Sequence, residues 1–256
     1  MAGTIETFVV SGEGLQRDIP VQLWSPERVS AEKPLPLLIA NDGPEYDSRS
    51  HLTDRLDELM QAQAVPLHRI ALVEPVLGAR NNWYAASREY NRALAQSVLT
   101  SVYERVSCSG PTIGVGASLG AISMLGCEYQ HPGTFGGLFL QSGSFHHPRF
   151  DGGTGWYPEY NRVAELVHEM SEVLVAKHAL QVAMTCGRYE HNLRGNEAMA
   201  AVFVAQGHVV SYSAVEGGHD FESWGQAFTP HLRDLLNRCW VSPATTAAER
   251  THLSVA

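Results

Sequence analysis

The feature that most constrains this chain is a recurrence: short uninterrupted apolar runs, each separated from the next by a stretch with helical spacing. The runs are Leu35–Ala40, Arg69–Val73, Thr112–Val115, Gly137–Leu140, Leu180–Met184 and Val209–Val215. A strand with one wet face alternates apolar and polar residues; a run without alternation suits a parallel strand covered on both faces. Between the runs, His51–Ala62 gathers Leu52, Leu56, Leu59 and Met60 on one helical face, and Tyr90–Val106 and Asn161–Val175 carry comparable stripes. Leu119–Tyr129, Asn192–Gln206 and Glu222–Cys239 predict further helices, the last broken near Thr229-Pro230, because proline cannot donate to the helical ladder. Strands alternating with such helices imply βαβ units, hence a mostly parallel sheet wrapped by helices. Ahead of them, Thr7–Ser11 and Asp18–Trp24 alternate and predict an antiparallel edge. Residues 1–240 are expected to form a single domain, and 241–256, rich in Ala, Thr and Ser, a frayed tail.

Composition narrows the partners. Lys and Arg number 18 against 27 Asp and Glu, a formal charge of −9, and no basic cluster stands out. That balance argues against a phosphate backbone or an anionic membrane surface. No window approaches the ~18 consecutive apolar residues that a spanning helix needs. The start lacks a cationic stretch followed by an apolar one, so no secretory signal is expected. Cys108, Cys127, Cys186 and Cys239 are scattered without a CxxC spacing and read as reduced, buried thiols. A cytoplasmic protein follows as the expectation.

The chemistry-bearing motif is Gly116-Ala-Ser118-Leu-Gly120, a G-x-S-x-G pattern after an apolar strand and before a helix-compatible stretch. A strand turning sharply into a helix lifts one hydroxyl above the carboxyl edge of the sheet and points the helix's free N–H groups at a developing oxyanion. The bland reading is a glycine-rich turn without chemistry; the strand and helix on either side favour the catalytic one. A serine needs a base. Of twelve histidines, His219 in Glu216-Gly-Gly-His-Asp-Phe follows the last strand and precedes the last helix. Glu190, the first carboxylate after Leu180–Met184, would hold the imidazole tautomer. Asp220 adjoins the histidine and is poorly placed to reach its ring; Glu216 is a substitute acid. A zinc site at His146-His147 is not expected without further ligands at suitable spacing, and neither GxxxxGK[ST] nor a GxGxxG opening a βαβ unit occurs. No cofactor is expected.

In order along the chain stand Arg17-Asp-Ile-Pro-Val-Gln-Leu-Trp, Ile39-Ala-Asn-Asp-Gly-Pro-Glu-Tyr, Gly116-Ala-Ser-Leu-Gly-Ala, His131-Pro-Gly-Thr-Phe-Gly-Gly, Gln141-Ser-Gly-Ser-Phe, Gly187-Arg-Tyr-Glu and Gly217-Gly-His-Asp-Phe-Glu-Ser-Trp. Together, from about Leu15 to Trp240, these resemble the putative-esterase family of α/β-hydrolases. That family includes enterochelin-esterase-like enzymes, S-formylglutathione hydrolases, feruloyl esterases and mycobacterial mycolyltransferases. The resemblance implies the α/β-hydrolase fold and a triad of Ser118, Glu190 and His219. It also implies an oxyanion hole from two backbone N–H groups, one of Leu119 and one in the loop around Asp42-Gly43. Pro44 has no N–H, so either Gly43 or Glu45 donates or the loop is rearranged.

Asp42, Trp83, Tyr84 and Trp156 are candidate substrate contacts. Arg80-Asn-Asn-Trp-Tyr84 follows a strand at the sheet's carboxyl edge, where ligands bind, although Trp83 and Tyr84 could equally pack over the next helix. The long stretch 142–160 is a candidate lid. The whole predicts a serine carboxylic-ester hydrolase acting through an acyl-enzyme on a small or medium ester. The alternatives are acyl transfer to another alcohol and a non-catalytic binding module. The oligomeric state is not legible.

Overall fold

The computed structural model describes residues 3–151 and 157–241. In chain order, β1 (Gly3–Val10) and β2 (Ile19–Pro26) lead into β3 (Leu37–Asn41), α1 (Gly43–Ser50), α2 (Leu52–Gln61), β4 (Arg69–Val73) and α3 (Arg80–Tyr84). Next, α4 (Arg88–Arg92) continues through a π-helical stretch, Ala93–Val98, into α5 (Leu99–Tyr103). Then come β5 (Ile113–Ala117), α6 (Leu119–Gln130), β6 (Gly137–Gln141), α7 (Pro148–Asp151), α8 (Tyr160–Ser171), β7 (Gln181–Gly187), α9 (Leu193–Ala205) and β8 (Val209–Val215). The last segment is α10 (Phe221–Gln226), a π-helical stretch Phe228–Leu232, and α11 (Arg233–Trp240).

The strands make one sheet in the order β1-β2-β4-β3-β5-β6-β7-β8. β2 pairs antiparallel with β1 and β4, and the pairs from β4 through β8 are parallel. This is the α/β-hydrolase fold. Every residue of β3, β4, β5 and β6 is buried, which explains why their sequences run apolar without alternating. The pleat splits them between two cores: Leu37 and Ile39 join α3 to α6, α8 and α9 on one face, while Leu38 and Ala40 join α2, α10 and α11 on the other. β5 turns Ile113, Val115 and Ala117 to the second face and only Gly114 and Gly116 to the first. α6 therefore lies almost on the strand and is buried nearly all round.

The expected elements all occur, with ends shifted by a few residues; the last helix breaks at Thr229, whose φ and ψ are −118° and 116°. Three short helices were not anticipated. The stretch after Asn41, expected as a loop, is the start of α1, and Pro44 sits in its first turn, where its missing N–H costs no hydrogen bond. α3 and α7, of five and four residues, are too short to show a stripe.

Candidate active site

β5 ends at Ala117, and Ser118 follows with φ 55° and ψ −122° as the residue capping α6. A non-glycine residue pays for such a backbone, so the surroundings must over-determine it. They do. A Cβ on Gly116 would fall 2.3 Å from the Gly120 carbonyl oxygen, so the first glycine of the motif is a packing requirement between strand and helix. The Ser118 N–H donates to the Gln141 carbonyl at 2.9 Å, and the Ser118 carbonyl accepts from Ser144 N–H at 3.1 Å. The half-buried Ser118 hydroxyl lies 3.2 Å from the hydroxyl of Ser144. Among the described residues its hydrogen-bond partner is thus Ser144 rather than His219.

The expected acid and base meet. β7 ends in Gly187, and the turn after it brings Glu190 back so that its backbone N–H donates to the Gly187 carbonyl. Glu190 Oε2 lies 2.6 Å from His219 Nδ1, which assigns the Nδ1–H tautomer and leaves Nε2 for a proton. The carboxylate side chain is 4% exposed and the imidazole 34%. Glu190 Oε1 accepts from the Ser142 hydroxyl at 2.7 Å and from Gly187 N–H at 2.8 Å. Burial alone would raise this carboxyl, but the bonds from His219, Ser142 and Gly187 outweigh it and hold it below its ordinary range.

Both other acids are occupied elsewhere. Asp220 caps α10, accepting from Ser223 N–H and Ser223 Oγ at 2.9 and 3.1 Å. Glu216 is exposed and pairs with Arg188 at 3.0 Å. Trp224, from α10, sets its ring edge-on to His219 at 5.1 Å between centroids and donates from Nε1 to Ser142 Oγ at 3.0 Å.

Facing the start of α6 is the start of α1. Asp42 is held in the left-handed region at φ 52°. Its carboxylate takes a two-pronged bond from Arg80, with Nε–Oδ1 and Nη2–Oδ2 both 2.6 Å, and its N–H donates to the Tyr84 hydroxyl at 3.1 Å. A Cβ on Gly120 would sit 3.4 Å from Asp42 Oδ2, so the two helix starts lie side by side. Leu119 and Gly43 are the first residues of α6 and α1, and first-turn N–H groups have no acceptor within their own helix.

The expected substrate contacts fare differently. Asp42 is buried and engaged by Arg80, so it braces the loop from within. Trp83 stacks on Tyr90 at 5.4 Å and Tyr84 is fully buried; of their two readings, packing is the one their burial favours. Trp156 lies outside the described residues. The proposed lid begins as the opposite of a lid, since 142–146 are buried against the sheet edge; 152–156 fall outside the described residues. Sequence reasoning read Arg80 only as part of a possible pocket lining and Ser142 and Ser144 only as the start of a possible lid, and it gave Trp224 no role, although Ser142 and Ser144 stand in a quoted family segment beside the expected catalytic rim. Among the described residues no cluster of three or more His, Cys, Asp or Glu is arranged to hold a metal. A cavity of about 340 Å³ between Leu125, Met170, Leu180 and Phe203 shares no residue with this site and lies toward the amino end of β7, away from the rim.

The Putative esterase family model matches residues 12–235. Among solved structures, the enterobactin esterase of Shigella flexneri, in the presence of 2,3-dihydroxy-N-benzoyl-glycine, superposes with a TM-score of 0.77 at 21% identity, covering 93% of this chain and 60% of that one. The chain thus spans about three-fifths of that esterase. A ferulic acid esterase gives 0.76 at 17% identity, with 92% and 98% covered. FphF, a fluorophosphonate-binding serine hydrolase of Staphylococcus aureus, gives 0.65 at 12%, with 93% and 99% covered. No curated protein sequence matches the chain. On the family match, the chain belongs to the Putative esterase family of α/β-hydrolases.

Proposed function

We propose that the protein is a serine carboxylic-ester hydrolase working through an acyl-enzyme, with Ser118 as nucleophile, His219 as general base and Glu190 as the acid that orients it. The observation carrying this reading is the 2.6 Å contact between Glu190 and His219 at the rim where Ser118 stands on a strained strand-to-helix turn. Ser118 Oγ attacks the ester carbonyl carbon while His219 Nε2 takes its proton. The carbonyl oxygen becomes an oxyanion held by the Leu119 and Gly43 N–H groups. The C–O bond to the alcohol then breaks, and the leaving oxygen takes the proton from His219. Water, deprotonated by His219, attacks the acyl carbon; the acid departs and the proton returns to Ser118. Ionised Glu190 favours the imidazolium that forms in each half-reaction.

Ser118 bonded to Ser144 is compatible with this sequence, because nucleophile–base hydrogen bonds are often long or misaligned until substrate is in place. Two of the structural neighbours are named with compounds that carry an aromatic ring, 2,3-dihydroxy-N-benzoyl-glycine and ferulic acid, so the panel of esters to test varies acyl length and aromaticity. Replacing Ser118 by Ala is expected to lower kcat by roughly 10⁶-fold and to abolish labelling by a fluorophosphonate. Retention of most p-nitrophenyl acetate turnover in that variant removes Ser118 from the mechanism.

A further inference from the structure

The turn Ser142-Gly143-Ser144, directly after β6, is held more tightly than a connecting turn requires. Ser142 has φ 46°, in the left-handed region where glycine is the undemanding residue. Its N–H donates to the Thr185 carbonyl at 2.7 Å, and its carbonyl accepts from Asn192 Nδ2 at 2.6 Å. Gly143 N–H donates to Asn196 Oδ1 at 2.9 Å, and its carbonyl accepts from Asn192 and Asn196 Nδ2 at 3.2 and 2.8 Å. Asn192 and Asn196 are both buried, at the head of α9. Strain kept in place by so many bonds invites the question of what the strained side chain does.

Both serine hydroxyls are answers. Ser142 Oγ donates to Glu190 Oε1 at 2.7 Å and accepts from Trp224 Nε1 at 3.0 Å. Ser144 Oγ lies 3.2 Å from Ser118 Oγ, and its own N–H bonds the Ser118 carbonyl. One rigid turn therefore reaches both ends of the proposed triad. Trp224 is fixed in its turn: its carbonyl accepts from Gln141 Nε2 at 2.9 Å, and Gln141 Oε1 accepts from the Tyr46 hydroxyl of α1 at 2.9 Å.

We propose that this turn supplies two further functional hydroxyls: Ser142, a positioning residue that holds Glu190 through a bond braced by Trp224, and Ser144, which donates a hydrogen bond to the reacting oxygen of Ser118. The inference rests on the triad reading above. With Ser144 donating, the Ser118 proton is free to go to His219, and negative charge growing on Ser118 Oγ is shared. The Ser142 bond is among those that hold the Glu190 carboxyl low; without it that carboxyl binds a proton at higher pH, so the acid limb of the kcat/KM profile moves upward.

Ser142→Gly separates function from structure, because glycine accepts φ 46° without strain while losing the hydroxyl. It is expected to remain folded, the relief of backbone strain offsetting part of the loss of two buried hydrogen bonds, to lose about tenfold or more in kcat/KM, and to shift the acid limb upward by about half to one pH unit. Trp224→Phe, which removes the brace while keeping an aromatic ring beside His219, should shift the limb the same way by less. Ser144→Ala should slow fluorophosphonate labelling of Ser118 by about tenfold and leave the limb in place. A Ser142→Gly protein within twofold of the parent, with an unmoved limb, overturns the role of Ser142. An unchanged labelling rate in Ser144→Ala overturns that of Ser144. If the parent itself is not labelled at Ser118, the triad reading fails first and the turn's role falls with it.

Discussion

The two oxygens of Glu190 have separate partners, and that division sets what a substitution at this residue would do. Oε2 meets the imidazole; Oε1 is satisfied by Ser142 and the Gly187 N–H. Glutamine in its place keeps the shape but offers an NH₂ to one of these donors, and it no longer favours the imidazolium. Glu190→Gln is expected to lower kcat by about 10³–10⁴-fold with a smaller change in KM. The carboxyl's native pKa is lowered, so its ionisation stabilises the fold above the usual carboxylate range, and this contribution disappears as pH falls through the lowered value. The gap in urea midpoint between parent and Glu190→Gln should therefore narrow in acid; a gap independent of pH would contradict the ion-pair account. At this scale the sequence was most informative where chemistry restricts residue type. A serine between glycines and a histidine after two glycines stood out, and Glu190 followed from strand order. Ser142 and Ser144 did not, because a hydroxyl that serves another side chain looks like any other serine in a turn.

Among the elements, β5 and α6 carry the tightest demand. Gly116 and Gly120 both belong to the serine motif, yet they differ in what surrounds them. A methyl at Gly116 would strike the Gly120 backbone at 2.3 Å, and neither backbone can yield without moving the elbow. At Gly120 the nearest atom to an added Cβ is 3.4 Å away, an ordinary contact. Gly116→Ala is expected to destabilise by about 1–3 kcal/mol and to displace Ser118. Gly120→Ala should be neutral or slightly stabilising, since alanine has the better helix propensity. Chemical denaturation of the two variants side by side checks this; equal midpoints would mean that the strand and helix are free to separate. The same elements explain what could be read in advance. β3 to β6, buried on both faces, announce themselves as unbroken apolar runs, and α2 and α8 carry a stripe because one side meets water. α1 begins Gly-Pro-Glu-Tyr, which reads as a turn, and only its position beneath the rim, with Tyr46 reaching Gln141, makes a helix of it. α3 likewise depends on tertiary bonds, those of Arg80 to Asp42 and of Tyr84 to the Asp42 N–H.

Across the whole molecule, acid should weaken the fold before it reaches the carboxylates, and the reason lies far from the site. His68 stands just before β4, with no exposed surface. Its Nδ1–H donates to the Pro66 carbonyl at 2.8 Å, its Nε2 is buried without a hydrogen-bond partner, and its ring packs 4.9 Å from that of Trp240. Burial lowers its pKa from 6.5 to about 4, and burial moves His131, His208 and His231 in the same direction. Between those two values the unfolded chain binds a proton at His68 that the folded one does not. Stability is then lost as pH falls from about 6.5 and the loss levels off near 4. The full effect of His68 is on the order of 3 kcal/mol, enough to matter against the 5–15 kcal/mol typical of a domain. Replacing His68 by Phe keeps the ring and the packing on Trp240 but removes the titration. Whatever its stability at pH 7, that variant should lose less between pH 7 and pH 4.5 than the parent, measured as urea midpoints at both. An equal loss in the two proteins would place the acid sensitivity on groups other than His68, such as the half-buried His131, His208 and His231.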